Sequence, residues 1–292
     1  MTRRFYTVDV FAQKKYAGNQ LAVVTEASDL DTEGMQSIAA EIDYSETTFV
    51  TGEKADGAWP VRIFTPTDEV PFAGHPTLGT AAVIRQYLDP ERPAQVTLDL
   101  EVGRVPVETR QQDGWETLWM RQQPPEFGET LPHEQLATVL GLSVDELADQ
   151  FPVQIVSTGL PTIVVPLTDR DALGKISLDR EAYDELVGGR DAKLVYAFCA
   201  EPRDSENDLA GRMFAPALGV LEDPATGSAT GCLAAYLSEH EFFGSGTVEA
   251  RVEQGYEIGR PSLLFLSASR ENDEVTVEVG GSVVTVSRGE LL

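Results

Sequence analysis

Three side chains of this 292-residue chain combine type and setting in a way that suits proton transfer: Glu46, His75 and Asp223. Glu46 stands in Tyr44-Ser45-Glu46-Thr47-Thr48-Phe49, where a carboxylate directly precedes three β-forming residues that have no need of one. A glutamate serves as a general base when burial raises its carboxyl toward the working pH. It also reads as one more solvated acid among many. His75, one of three histidines with His133 and His240, lies in Gly74-His75-Pro76-Thr77-Leu78-Gly79. Proline suits a helix start, so the segment offers an imidazole beside free backbone N–H groups, and Gly74 lets a ligand come close. Taken alone, His75 is equally a structural cap. Asp223 lies in Glu222-Asp223-Pro224-Ala225-Thr226-Gly227-Ser228-Ala229. Asp, Thr, Gly and Ser at a helix start make an ordinary cap as readily as an anion site.

An internal repeat relates two of the three. Arg62-Ile63-Phe64-Thr65-Pro66 recurs as Arg212-Met213-Phe214-Ala215-Pro216, 150 residues on. Pro76-Thr77-Leu78-Gly79-Thr80-Ala81 recurs as Pro224-Ala225-Thr226-Gly227-Ser228-Ala229, 148 residues on. Upstream, Gly18 with Val23-Val24 matches Gly159 with Val164-Val165. Offsets near half the chain length indicate a duplicated domain, not a solenoid of 20–50-residue repeats. His75 and Asp223 each precede the repeated proline. Two like lobes packed face to face then bring them together across a cleft.

The elements that must position them follow from periodicity and turn signals. Strands are expected near 5–11, 21–24, 47–51, 61–64, 96–100, 105–109 and 117–121, with helices over 31–41 and 76–88. After the break at Gln122-Gln123-Pro124-Pro125-Glu126, helices are expected near 133–140, 144–149, 180–187 and 225–239. Strands are expected near 153–157, 162–166, 194–200, 211–214, 247–254, 262–268, 274–279 and 282–287. The predicted fold class is α+β: two pseudo-symmetric lobes, each a curved, mostly antiparallel sheet around a central helix that is apolar on most sides. The predicted lobes are 1–121 and 122–281, with the last strand near 282–292 a candidate to return to the first.

Composition narrows the function. Hydrophobic content of 42% and aromatic content of 8% belong to an ordinary globular protein. No apolar run approaches the roughly 20 residues of a membrane span, and Met1-Thr2-Arg3-Arg4-Phe5 leads into a strand pattern without a signal-peptide core. A soluble, cytoplasmic protein is expected. Asp plus Glu number 48 against 22 Lys plus Arg, a net charge of −26, which repels nucleic acid and anionic membrane alike. Only five of those bases are lysines. Dispersed carboxylates and scarce lysine suit a cytosol of very high salt, where screening relieves self-repulsion, so a halophilic source is expected, the alternative being an unusually acidic mesophile protein. Cys199 and Cys232 sit in a buried-strand and a helix pattern and read as small core residues. There is no P-loop, no G-x-G-x-x-G after a strand, no metal-ligand spacing and no G-x-S-x-G elbow. Chemistry without cofactor or metal is expected.

The motifs also carry a resemblance. Asp9-Val10-Phe11 with Gly18-Asn19, Ser45-Glu46-Thr47-Thr48-Phe49, Phe72-Ala73-Gly74-His75-Pro76-Thr77, the segment from Glu222 to Ala229, and Gln254-Gly255 with Gly259-Arg260-Pro261-Ser262 follow in order over nearly the whole chain. Together they resemble the PhzF-like phenazine-biosynthesis isomerase family. The resemblance implies a diaminopimelate-epimerase-like fold with the site between two lobes, a homodimer, and a small carboxylated substrate. It implies that Glu46 shuttles the proton, that His75, Asp223 and Ser228 line the substrate and assist, and that Gly74 and Gly227 contact it. The best-understood member isomerises trans-2,3-dihydro-3-hydroxyanthranilate. Related epimerases use two cysteines at the mouths of the central helices. Here Gly74/His75 and Glu222/Asp223 stand at those mouths, and neither cysteine does. A cofactor-independent isomerase is therefore expected. The alternatives are a non-catalytic binding or scaffold protein, and an amino-acid epimerase using carboxylate in place of thiol.

Overall fold

The computed structural model describes residues 2–112, 114–271 and 274–292. The chain forms two compact units, Met1–Arg121 with Gly280–Leu292, and Gln122–Val279. In the first, β1 (Arg3–Val10) and β2 (Asn19–Val24) form an antiparallel hairpin. Helix α1 (Thr32–Ile42) begins where Asp31 accepts the Gly34 N–H, and ends at Asp43 in the left-handed region. This crossover allows β3 (Thr47–Val50) to lie parallel to β2. Met35 and Ala39 of α1 pack on Val24, Phe49 and Phe64. Strand β4 (Trp59–Phe64) is antiparallel to β3, and β5 (Glu69–Val70) folds back on β4. Helix α2 (Gly74–Val83) follows, continued by a π-helical turn, Ile84–Leu88. Then β6 (Gln95–Leu100) runs parallel to β4, and β7 (Gly103–Gln112) and β8 (Trp115–Arg121) complete an antiparallel meander.

Eight of the ten α2 residues are buried, because the sheet of its own unit curls around the helix. Small residues permit that close approach. A Cβ on Gly79 would lie 2.6 Å from the Leu21 side chain and 2.8 Å from that of Val10.

The second unit starts with β9 (Glu126–Leu131), α3 (His133–Leu140) and β10 (Val153–Ser157), with β9 and β10 antiparallel. Strand β11 (Thr162–Pro166) is antiparallel to β10. Helices α4 (Arg170–Lys175) and α5 (Arg180–Val187) lead to β12 (Leu194–Cys199), parallel to β11. Strand β13 (Leu209–Ala215) is antiparallel to β12, and β14 (Val220–Asp223) folds back on β13. Helix α6 (Gly227–Glu239) is buried at every position except Ser228 and Glu239. Strand β15 (Val248–Gln254) runs parallel to β13, β16 (Ser262–Glu271) is antiparallel to β15, and β17 (Glu274–Gly281) follows. The last strand, β18 (Val283–Leu291), pairs antiparallel with β1 of the first unit.

The fold is thus mixed α/β, with parallel pairs set among antiparallel ones in both units. The pairings of β1 to β7 and of β10 to β16 follow one order. As β9 flanks β10, so β18 flanks β1. Side chains repeat too. Arg62 grips Glu69 through Nε and Nη2 and lies over the Phe64 ring, and Arg212 grips Glu222 in the same way and lies over Phe214.

Several elements differ from the sequence expectation. β9 follows two prolines and is exposed along most of its length, so no alternation marks it. β5 and β14 owe their existence to pairing with β4 and β13, not to apolar pattern. The short α4 was not expected; Asp169 caps it by accepting the Ala172 N–H. The helix expected over 144–149 is a 3₁₀ turn, Val144–Glu146, closed by a Ser143/Glu146 capping box. Helix α2 starts at Gly74, which puts Pro76 in its third position, where the missing N–H costs nothing because first-turn donors have no intrahelical acceptor. Helix α6 starts at Gly227, not near 225. Among the described residues, no helix is long and apolar enough to cross a membrane.

Candidate active site

In the first unit the fold brings Glu46 to His75. Glu46 ends the link from α1 to β3, and His75 lies in the first turn of α2. His75 Nε2 is 3.3 Å from Glu46 Oε2, with both side chains largely buried. The β1–β2 hairpin holds the imidazole through the Gln20 backbone carbonyl. Its connecting loop is shaped by Asp9, which accepts the Tyr16 N–H at 2.6 Å. Gly18 (φ +67°) completes the turn, where a Cβ would meet the Val10 carbonyl oxygen at 2.3 Å. Helix α2 has no side-chain cap, so the Gly74 end of the helix keeps its donors for other partners.

Desolvation pulls the His75 imidazole down to about 3, against the smaller upward push of the Gln20 carbonyl. The contact with Glu46 has ion-pair distance, but so deeply buried a ring stays neutral at ordinary pH. Nε2 makes no aligned hydrogen bond, which assigns the ring N–H facing Gln20 to Nδ1. A neutral ring then presents a lone pair at Nε2. Glu46 and His75 form a site where one proton can be held between two basic atoms.

Stability should follow pH accordingly. The unfolded imidazole binds a proton near its ordinary value of 6.5, and the folded one refuses it until about 3. His75 therefore contributes fully above about pH 6.5, and its contribution is lost as pH falls toward 3. Urea denaturation of wild type and His75→Asn between pH 7 and 5 should show the wild type losing more stability. Equal slopes would contradict a buried neutral ring.

In the second unit, Asp223 ends β14 and is buried. The Thr226 hydroxyl donates to Asp223 Oδ2 through a short hydrogen bond. Thr226 is the N-cap of α6, whose first residues are Gly227 and the half-exposed Ser228, with no side-chain cap. Their backbone N–H groups can bind an anion. The structure thus places Glu46, Gly74 and His75 together in one unit, and Asp223, Gly227 and Ser228 together in the other.

The remaining candidates have structural partners. His133 Nε2 contacts the Phe151 carbonyl at 3.1 Å, and His240 Nε2 contacts Gln154 Oε1 at 2.8 Å beside the Tyr236 ring. Both cysteines are buried, and burial pushes the Cys199 thiol up to about 11 and the Cys232 thiol up as well. Neither is a ready thiolate. Sequence reasoning gave no role to Gln20, Thr226 or Gln254. The signal for Gln254 was its place in the Gln254-Gly255 motif. Gln20 acts through its backbone and leaves no mark in the sequence.

A family model described as phenazine biosynthesis-like protein matches residues 8–289. The chain belongs to that family. It is 35% identical over 295 residues to a trans-2,3-dihydro-3-hydroxyanthranilate isomerase of Pseudomonas aeruginosa, covering 98% of both chains. A Bacillus anthracis phenazine biosynthesis protein of the PhzF family has a similar crystal structure, with TM-score 0.90 and 30% identity over 100% of this chain and 99% of that one. A probable proline racemase from Agrobacterium radiobacter K84 shares the fold at 11% identity, with TM-score 0.62 over 99% of this chain and 93% of that one. Relatives that the chain matches over nearly its full length are named isomerases, and the chain is an isomerase of this family.

Proposed function

We propose that this phenazine biosynthesis-like protein is a cofactor-independent isomerase that moves a proton on a small carboxylated substrate of the trans-2,3-dihydro-3-hydroxyanthranilate type. The observation that carries the reading is the Glu46–His75 contact at 3.3 Å, which sets a carboxylate against a buried neutral imidazole. Glu46 removes a proton from a substrate carbon, leaving the electron pair delocalised over the adjacent double bonds. The proton returns at another position, a double bond moves, and no atom is gained or lost. His75 accepts a hydrogen bond from protonated Glu46 and steadies the proton between the two events. Asp223 and Ser228 orient the substrate, with the Gly74 and Gly227 backbones near its carboxylate.

The common pairing order of the two units and the repeated Arg–Glu–Phe cluster support an internal duplication and a diaminopimelate-epimerase-like arrangement of two pseudo-symmetric lobes. The acidic composition supports a high-salt cytosol as the working environment, and family membership supports a homodimer.

Incubation with trans-2,3-dihydro-3-hydroxyanthranilate in deuterated water should incorporate deuterium at carbon and shift the ultraviolet spectrum as the double bond moves. Deuterium with inversion of a centre and no spectral shift would instead mark an epimerase. No incorporation would remove this substrate type.

A further inference from the structure

The segment Gln254-Gly255 with Gly259-Arg260-Pro261-Ser262 takes no part in the chemistry above, yet it is built against Asp223. Gln254 is 1% exposed. Its Nε2 donates to the Asp223 backbone carbonyl at 2.8 Å and to Thr226 Oγ1 at 3.1 Å, while its Oε1 accepts the Thr226 backbone N–H at 3.3 Å. Backbone groups have fixed polarity: a carbonyl only accepts and an N–H only donates. They therefore fix which end of the Gln254 amide faces which partner. The Thr226 hydroxyl oxygen accepts a hydrogen bond from Gln254, so its own single proton points to Asp223 Oδ2.

Close packing beyond the end of β15 and hydrogen bonds on its other face support Gln254. Gly255 (φ +77°) brings the turn so close that a Cβ would lie 2.5 Å from the Pro224 carbonyl oxygen and 2.4 Å from that of Arg260. The Arg260 N–H closes the turn on the Gly255 carbonyl at 2.9 Å, and Ser262 Oγ donates to the Arg260 carbonyl at 2.9 Å. On the opposite face, buried Glu253 accepts the N–H groups of Arg203 at 2.7 Å and Asp204 at 2.8 Å, and the Asn207 amide at 2.8 Å.

We propose that Gln254 is a positioning residue that acts through Thr226, orienting the Asp223 carboxylate by keeping the Thr226 hydroxyl directed at its Oδ2; this rests on the role given to Asp223 above. A carboxylate so held stays an acceptor of fixed direction throughout turnover. Gln254→Leu removes both amide functions and leaves the Thr226 hydroxyl free to turn away from Asp223 Oδ2.

Two measurements on the full chain test this. The first needs no activity. Proton NMR should show a slowly exchanging Thr226 hydroxyl, assigned by its loss in Thr226→Val, that exchanges at least about tenfold faster in Gln254→Leu. An unchanged resonance would overturn the proposal. The second is a kinetic cycle with Asp223→Asn. Gln254→Leu alone should lower kcat by up to about 10²-fold, the scale of a misplaced catalytic group, while in the Asp223→Asn background it should change almost nothing. Losses that multiply would show a general structural role and overturn it. Should the Leu variant not fold, Gln254→Glu keeps the volume and the acceptor for the Thr226 N–H but lacks the donors, and the same outcomes apply. A wild type inactive on the substrate sinks the isomerase reading, and the NMR result still decides the role of Gln254.

Discussion

Glu46→Gln should lower kcat by at least about 10²-fold, the lower end of what a positioned general acid–base group contributes. The substitution keeps shape and most hydrogen bonding but cannot take a proton from carbon. Folding should be nearly unchanged, because Glu46 lies outside the hydrophobic clusters and its side chain is 19% exposed. His75→Asn should cost less, since a group that steadies the proton is partly replaceable by another hydrogen-bonding side chain. Steady-state rates with a thermal melt on each variant check both statements. A Glu46→Gln protein that turns over its substrate at wild-type rate would end the mechanism.

The second large effect is on stability and differs between the two copies of the repeated cluster. Arg212 and Glu222 are both only 9% exposed, and Arg212 Nη1 also donates to the Leu173 and Ile176 carbonyls at 3.0 and 3.3 Å. Arg212→Leu leaves the Glu222 carboxylate buried without its cation, which costs about 3–5 kcal/mol. Arg62 and Glu69 make the same two-pronged contact at 31% and 29% exposure. Arg62→Leu should cost only about 0–1 kcal/mol, because water solvates the remaining carboxylate. Denaturant midpoints of the two variants give the comparison directly. The double variant Arg212→Leu/Glu222→Leu should recover much of the loss, since two apolar side chains need no ionic partner. Equal losses from Arg62→Leu and Arg212→Leu would show that burial does not set the value of these pairs.

Much of the fold was legible because local pattern and tertiary role agree. Small and apolar residues on most sides of 76–88 and 225–239 announce central helices, and α2 and α6 are buried along most of their length. The recurrence of Arg-x-Phe before a proline-led helix start announced equivalent strand–turn–helix segments, and β4–β5–α2 and β13–β14–α6 have the same pairing. What escaped notice was structure made by partners distant in sequence. β9 shows no alternation because it is mostly exposed, and β14 carries two acids side by side, Glu222 toward Arg212 and Asp223 toward Thr226.

By itself the sequence determined most of the elements, the repeat, and the residue types at the helix mouths, since these depend on side-chain period, proline and glycine, all local properties. It also singled out Glu46 as a carboxylate where a strand had no use for one. The tertiary structure alone decided what those residues are. Only folding brings Glu46 to His75 and sets the Gln20 carbonyl against a ring that burial keeps neutral. Only folding places the C-terminal end of α4 so that the Leu173 and Ile176 carbonyls cover Arg212, making one copy of a repeated ion pair buried where the other is half-exposed. The reason is the same in each case: desolvation and hydrogen-bond polarity depend on which distant groups exclude water, and no spacing along the chain encodes that.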